Sequence, residues 1–227
     1  VRLIKENSSD FVSHFDALLV NASATKDELN GLVLSIIDDV KQNGDNALIE
    51  QISKFDGWVP SNSDALLIKE SEIDEAYDTC ESALKEALHL AYDRITTFHE
   101  KQLPKSWMHY EDNGSMLGQK VTAVDCAGLY IPGGKASYPS SLIMNAVPAK
   151  VAGVKEIIAC VPCPNDELNP VVLAAAKVGG ITKLYKIGGA GAIAAMAYGT
   201  KTIAKADVIT GPGNIFVATA KKLLFGE

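Results

Sequence analysis

The sequence predicts an α/β fold, in which a parallel sheet of βα repeats follows an N-terminal helical region. Charged residues and helical periodicity dominate the chain up to residue 114, whereas residues 115–227 are rich in Gly, Ala and Val. In this second part, short apolar segments alternate with helical ones, which is the pattern of βαβ units. We therefore expect a helical region over 1–114 and a sheet domain over 115–227.

Two helices are predicted at the start of the helical region. Thr25 begins a capping box, and a stripe of apolar residues with helical spacing follows it. The stripe consists of Leu29, Leu32, Val33, Ile36, Ile37 and Val40. Gly44 lies just past the end of this helix, and a shorter helix is expected over 45–55. A later periodic segment over 71–98 is either one long helix or two helices with a break near residue 81.

Strands and helices alternate in the predicted sheet domain. The expected strands cover 116–124, 128–131, 156–161, 183–187 and 207–209. The expected helices cover 140–151, 170–177, 190–198 and the segment from 215 to about 224. Pro148 is expected to kink the first of these helices, Asn169 to cap the second, and Gly199 to end the third.

Three glycine-rich loops each follow a predicted strand. They cover 132–135, 188–191 and 211–214. Ligands of parallel sheets bind beyond the carboxyl ends of the strands, and glycine lets a ligand approach backbone N–H groups closely. Three such loops at one edge of the sheet predict a ligand that is a nucleotide or carries phosphate.

Composition narrows the classes of partner. The 227 residues are 47% hydrophobic and 22% charged, with a formal net charge of −7. Because nucleic acid requires a basic face, a small molecule or a protein is the expected partner. No stretch approaches the roughly 18–20 apolar residues of a membrane helix, and the charged N-terminus does not predict a signal peptide. Four cysteines are too few for a disulfide scaffold, so we expect a cytoplasmic protein.

Several short motifs match a known pattern only in part. The segment 133–136 lacks the spacing and the hydroxyl residue of a phosphate-binding P-loop. The segment 189–194 fits the glycine spacing of a dinucleotide fingerprint, but no acidic residue ends the next strand, which favours a structural turn. Cys160 and Cys163 have C-x-x-C spacing, but Cys160 lies within a predicted strand, which disfavours a redox pair. The four histidines show no metal-ligand spacing.

Tyr130 and Asn214 are the side chains best placed to meet a ligand. Tyr130 ends a strand just before a glycine-rich loop, where its ring either contacts a ligand or caps the sheet. Asn214 opens the last helix, where it either caps that helix or bonds a ligand. The sequence leaves both alternatives open.

Three long segments have distinctive sequences. They are GLYIPGGKASYPSSLIMNAVPAKVAG at 128–153, KIGGAGAIAAMAYGT at 186–200 and GPGNIFVATAK at 211–221. All three closely resemble the histidinol dehydrogenase family. Shorter segments in the helical region, such as KQNGDNAL at 41–48 and RITTFHE at 94–100, resemble the same family. The resemblance therefore covers the whole chain.

The resemblance implies an NAD-dependent dehydrogenase of amino-acid biosynthesis. The family oxidises L-histidinol through the aldehyde to L-histidine. Its members are homodimers in which a zinc ion helps to hold the substrate. The implied fold has two incomplete Rossmann-like domains, and the N-terminal helical region is part of a split domain.

The resemblance also implies roles for individual residues. Tyr130 and Asn214 match positions that bind NAD, and a third NAD position, normally Gln, falls on Gly191. The family's catalytic Glu–His pair and zinc ligands lie beyond the point that matches Glu227, so no catalytic or metal residue is expected in this chain. We therefore expect the chain alone to be inactive. The alternatives are a paralogue that oxidises another small alcohol and a non-catalytic remnant that binds a nucleotide or dimerises.

Overall fold

The computed structural model describes residues 5–24, 26–133 and 138–227 of the chain. In these residues the helices are α1 (Phe11–Ala24), α2 (Lys26–Asn43), α3 (Asp45–Phe55), α4 (Glu70–Asp78), α5 (Ser82–Glu100), α6 (Pro139–Val151), α7 (Pro170–Gly179), α8 (Gly189–Tyr198) and α9 (Ile215–Leu223). The strands are β1 (Trp107–Tyr110), β2 (Met116–Gln119), β3 (Cys126–Tyr130), β4 (Glu156–Val161), β5 (Lys183–Lys186) and β6 (Val208–Thr210). The predicted cap Thr25 and the loop residues 134–135 lie outside the described residues.

The main sheet confirms the predicted α/β fold. Within the described residues it has four parallel strands in the order β5-β4-β3-β6. The chain moves outward from β3 through β4 to β5, and then returns to place β6 on the other side of β3. The strand order therefore reverses between β3 and β6, which makes this point the topological switch of the sheet.

Helices cover both faces of this sheet. On one face, α2 and α3 pack with α8 and α9, and on the other, α4 and α5 pack with α6 and α7. Each face of the sheet carries an apolar cluster, and successive strand residues alternate between the two faces. Tyr130 packs in the cluster formed with α2, α3, α8 and α9, and Leu129 packs in the cluster formed with α4 to α7. This alternation is the period of a strand buried on both sides. The helices of the first half thus bury the sheet of the second half, and the division at residue 114 stays a prediction.

A hairpin replaces the first predicted strand. The strand expected over 116–124 ends at Gln119 and pairs in antiparallel fashion with β1, which the sequence analysis missed. Gly114, with φ of 86°, allows the tight turn between the two strands. Every residue of both strands is exposed, so the hairpin carries no pattern of buried and exposed positions by which a sequence predicts a strand.

The other elements lie close to their predicted places. The segment 71–98 forms two helices, which are separated at residues 79–81, and this settles the alternative that the sequence left open. Asn169 caps α7 by accepting a hydrogen bond from the N–H of Val171, and Pro148 lies inside α6. Helix α1 has no counterpart in the sequence analysis.

Candidate functional site

The carboxyl ends of the parallel strands open into a cavity of about 430 Å³. Residues just after all four strands contribute to its wall, and α2 and α3 close it from the side. The lining residues are Leu32, Ile36, Gln51, Ile52, Phe55, Asp56, Tyr130, Gly133, Pro162, Pro164, Ile187, Gly188, Gly189, Ala190, Gly191, Asn214 and Phe216. An apolar wall with a few polar groups is the common form of a small-molecule site. The three predicted site residues, Tyr130, Gly191 and Asn214, all belong to this wall.

The N-terminus of α8 faces the cavity. Gly188 is its N-cap, makes no side-chain capping bond, and precedes Gly189 with φ of 65°. The first N–H groups of a helix have no partner within that helix and carry partial positive charge. The N–H of Gly189 bonds the hydroxyl of Tyr130, and glycine and alanine have no side chains that cover the N–H groups that follow, so this end of α8 is suited to an anion such as a phosphate.

Tyr130 holds the start of α8 in place. Its side chain is only 4% exposed, and its hydroxyl accepts a hydrogen bond from the N–H of Gly189 at 3.2 Å. Burial is the main cause that raises the pKa of Tyr130, so the phenol is neutral at physiological pH. The ring therefore forms a fixed part of the wall that joins the end of β3 to the first turn of α8.

Asn214 acts as the N-cap of α9. Its Oδ1 accepts hydrogen bonds from the N–H groups of Phe216 at 3.0 Å and Val217 at 3.2 Å. These two bonds engage only the oxygen of the amide, and the residue also lines a second cavity that Tyr130 and Gly133 share. The capping role that the sequence left open is thus present, and the amide nitrogen stays available for a ligand at the junction of the two cavities.

Gly191 is packed against a side chain that the sequence analysis missed. A Cβ built on Gly191 would overlap Oε1 of Gln51, which reaches the cavity from α3. The Nε2 atom of Gln51 is buried and has no hydrogen-bond partner in the described part of the chain. Position 51 lies three residues after buried Leu48 and next to buried Ile52, so helical periodicity was the available signal that it faces inward.

Asp56 is the ionisable side chain in the wall besides Tyr130. It directly follows α3, and burial raises the pKa of its carboxyl group. Its backbone carbonyl accepts a hydrogen bond from the N–H of Asn165 at 2.7 Å, which fixes the end of α3 against the loop after β4. The carboxyl group of Asp56 also contributes to the raised pKa of Tyr130, so it acts on the same part of the wall as that ring.

The cysteines and histidines stay outside the candidate site. Cys160 and Cys163 are free and buried, and burial is the main cause that raises the pKa of both thiols, which disfavours a reactive thiolate. His89 bonds the hydroxyl of Tyr77, and His99 bonds Gln102. In the described segments, no three His, Cys, Asp or Glu side chains are placed to hold a metal ion. These residues therefore do not fit a zinc site by themselves.

The segments that the structure describes include no helix that is both long and apolar enough to span a membrane.

A glycine-lined helix terminus at the carboxyl edge of a parallel sheet is typical of α/β proteins that bind nucleotides. The family model described as histidinol dehydrogenase matches residues 20–227. The histidinol dehydrogenase of Wolinella succinogenes is 52% identical over the whole chain, and that of Sulfurimonas denitrificans is 54% identical over 97% of it. The chain belongs to the histidinol dehydrogenase family, which is a family of oxidoreductases.

A solved structure supports the same assignment. The crystal structure of histidinol dehydrogenase from Elizabethkingia anophelis matches 86% of this chain with a TM-score of 0.80 and 35% identity. This chain covers 45% of that chain, and it covers 52% and 51% of the two bacterial relatives. It therefore spans about half the length of the curated relatives that it matches.

Proposed function

We propose that this chain forms the NAD-binding part of a histidinol dehydrogenase. The observation that carries the proposal is the uncovered N-terminus of α8, which opens into the cavity between Tyr130 and Asn214. The N–H groups in the first turn of α8 that Tyr130 does not engage would hold the diphosphate of NAD⁺. The amide nitrogen of Asn214 donates to the nucleotide, and the buried ring of Tyr130 supports the first turn of α8.

The chemistry in this proposal is the oxidation of L-histidinol through the aldehyde to L-histidine. Bound NAD⁺ supplies the hydride acceptor. The residues of this chain bind and orient the nucleotide, and the apolar side chains of α2 and α3 exclude water from one side of it. Removal of the hydroxyl proton requires a positioned base. No described histidine lines the cavity, and the proposal assigns neither the base nor the zinc ligands to the residues that line it.

Calorimetric titration with related ligands tests the nucleotide site. We expect NAD⁺ and ADP to bind and to compete with each other, because both present a diphosphate to α8. Adenosine, which lacks the diphosphate, should bind at least about tenfold more weakly, which corresponds to the loss of about 1.4 kcal/mol. Equal affinity for adenosine would contradict phosphate binding at α8, and no binding of NAD⁺ would contradict the proposed function.

A turnover assay tests whether the chain binds NAD⁺ without oxidising L-histidinol. The purified 227-residue chain should produce no NADH from NAD⁺ and L-histidinol, while it still binds NAD⁺ in the titration. Steady production of NADH that depends on L-histidinol would show that the chain holds a complete catalytic site. Production with another small alcohol, but not with L-histidinol, would favour a paralogous dehydrogenase.

The proposed enzyme is cytoplasmic and forms a homodimer. The β1–β2 hairpin supports the homodimer, because five of its large apolar side chains are more than half exposed: Trp107, Met108, Tyr110, Met116 and Leu117. Such a cluster of apolar side chains is typical of a surface that another chain covers. Sedimentation should show a dimer for the chain and a monomer for Leu117→Lys. A wild-type chain that stays monomeric at every concentration would contradict this part of the proposal.

A further inference from the structure

The carboxamide of Gln51 occupies the space above Gly191. Gln51 lies on α3, and Gly191 lies in the first turn of α8 on the facing side of the cavity. An added Cβ at Gly191 would overlap Oε1 of Gln51 and would stand only 3.1 Å from its Cδ. A real Cβ atom would not overlap an oxygen in this way, so the Gln51 carboxamide holds this position only because residue 191 is glycine.

Glycine at position 191 destabilises the helix, and the backbone conformation there does not require glycine. Gly191 lies within a helix, where glycine is less favourable than alanine by roughly 0.5–1 kcal/mol. Its φ is not positive, unlike those of Gly189 and Gly211. The residue is also buried, so the contact with Gln51 is the steric reason in the structure for the absence of a side chain.

The amide of Gln51 is incompletely bonded. Its Nε2 is buried and donates to no group among the residues that the structure describes. A buried donor without an acceptor costs on the order of 1–3 kcal/mol, so buried polar groups of this kind usually have a partner in the functional state. A half-turn about the last torsion of glutamine exchanges its nitrogen and oxygen, which lets the amide present a donor toward the cavity.

We propose that Gln51 is a nucleotide-binding residue of this site, and that Gly191 is glycine so that the Gln51 amide can reach the ligand. The inference rests on the proposed function, because the ligand is the nucleotide assigned to the cavity. The Gln51 amide lies beside the N-terminus of α8 and therefore donates a hydrogen bond to a polar atom of a nucleotide whose phosphates bind there. A glutamine at position 191 and a glutamine at position 51 compete for one volume.

This competition makes an unusual prediction for substitutions. The Gln51→Leu variant keeps the bulk of the side chain but loses the amide, and it should bind NAD⁺ about tenfold more weakly, as expected for one lost hydrogen bond. The single Gly191→Gln variant should also bind at least about tenfold more weakly, because its side chain displaces Gln51. The double variant Gln51→Ala, Gly191→Gln has room for one amide and should recover affinity to within about threefold of the wild type.

Calorimetric titration of these variants with NAD⁺ tests the inference. Gln42→Leu, which replaces an exposed glutamine of α2, is the matched control and should bind as the wild type does. Urea unfolding of each variant separates a loss of folding from a loss of binding. Wild-type affinity in Gln51→Leu, or improved affinity in the single Gly191→Gln variant, would overturn the role of Gln51 and leave the proposed function standing. Absence of NAD⁺ binding by the wild type would overturn the proposed function and this inference with it.

Discussion

Gly211 and Gly191 lack a side chain for different physical reasons. At Gly211 φ is 120°, a conformation that other residues rarely adopt, and a Cβ there would overlap the carbonyl oxygen of Tyr130. At Gly191 the backbone is helical, and the space is taken by Gln51. The first glycine therefore joins the loop after β6 to the end of β3, and the second leaves room for a functional side chain.

Replacement of Gly211 by alanine tests the close approach of these two segments. The Gly211→Ala variant should lower the free energy of unfolding by about 2 kcal/mol or more, because strain at a positive φ adds to a clash with backbone. Gly31→Ala is the control, since Gly31 lies within α2 with no other atom near its Cβ position, and this change should stabilise by roughly 0.5–1 kcal/mol. Urea unfolding measures both. Equal stability of Gly211→Ala and the wild type would mean that the loop does not pack against β3 as described.

The buried cysteines lead to a prediction about the free energy of unfolding at alkaline pH. Burial is the main cause that raises the pKa of Cys126 from 9.0 to about 11 and that of Cys163 to about 12. The folded protein therefore keeps these protons when the unfolded chain has lost them, so the free energy of unfolding should fall as the pH rises above 9.0. Urea unfolding at a series of pH values measures this slope, and Cys126→Ala should make it shallower. A stability that rises over this range would contradict the burial of the thiols.

At the scale of secondary-structure elements, the N-termini of α8 and α9 connect the sheet to the candidate site. Both α8 and α9 begin at the cavity. Asn214, the N-cap residue of α9, caps that helix with its own side chain, whereas the N-cap of α8 is glycine and only the N–H of Gly189 has a side-chain partner, Tyr130. An uncapped N-terminus keeps its N–H groups for a ligand, whereas a capped one is stable without it. The two helices thus contribute to the site in different ways, α8 with its backbone and α9 with the remaining half of the Asn214 amide.

The two roles of Asn214 can be separated by substitution. Asn214→Ser keeps an oxygen that caps α9 but loses the amide nitrogen, so it should weaken NAD⁺ binding about tenfold with little change in stability. Asn214→Ala should weaken binding and also lower the free energy of unfolding by about 1 kcal/mol. Asn169→Ala removes the cap of α7 at a residue that does not line the cavity, and should affect stability alone. Calorimetry and urea unfolding measure the two effects, and unchanged binding in Asn214→Ser would restrict this residue to capping.

The sequence predicted most elements because their local signals agree with their packing. Strands β3 and β4 are largely apolar, and α7 begins at an Asn-Pro pair that both caps and starts a helix. Strand β1 was not predicted, and β2 was predicted as part of a longer strand, because every residue of the hairpin is exposed and the hairpin shows no pattern of buried and exposed positions. The contact between Gln51 and Gly191 could not be predicted, because it depends on how α3 and α8 pack against each other on one face of the sheet.

At the scale of the molecule, the order of the strands decides where a ligand can bind. The reversal between β3 and β6 separates the loops that follow these strands and leaves a cleft between them. The N-terminal helices then deepen this cleft, since α2 and α3 pack against α8 and α9 and line one side of the cavity. The helical region is thus required for the site even though the glycine-rich loops all belong to the sheet region.

The most direct test of this account is the position of NAD⁺ on the molecule, measured by amide NMR spectra of the chain during a titration. We predict that the amide signals of 188–191 shift most, together with those of Asn214 and the side-chain amide of Gln51. Signals of the β1–β2 hairpin should stay in place. Shifts confined to the hairpin, or no shifts at saturating NAD⁺, would contradict the assignment of the cavity as the nucleotide site.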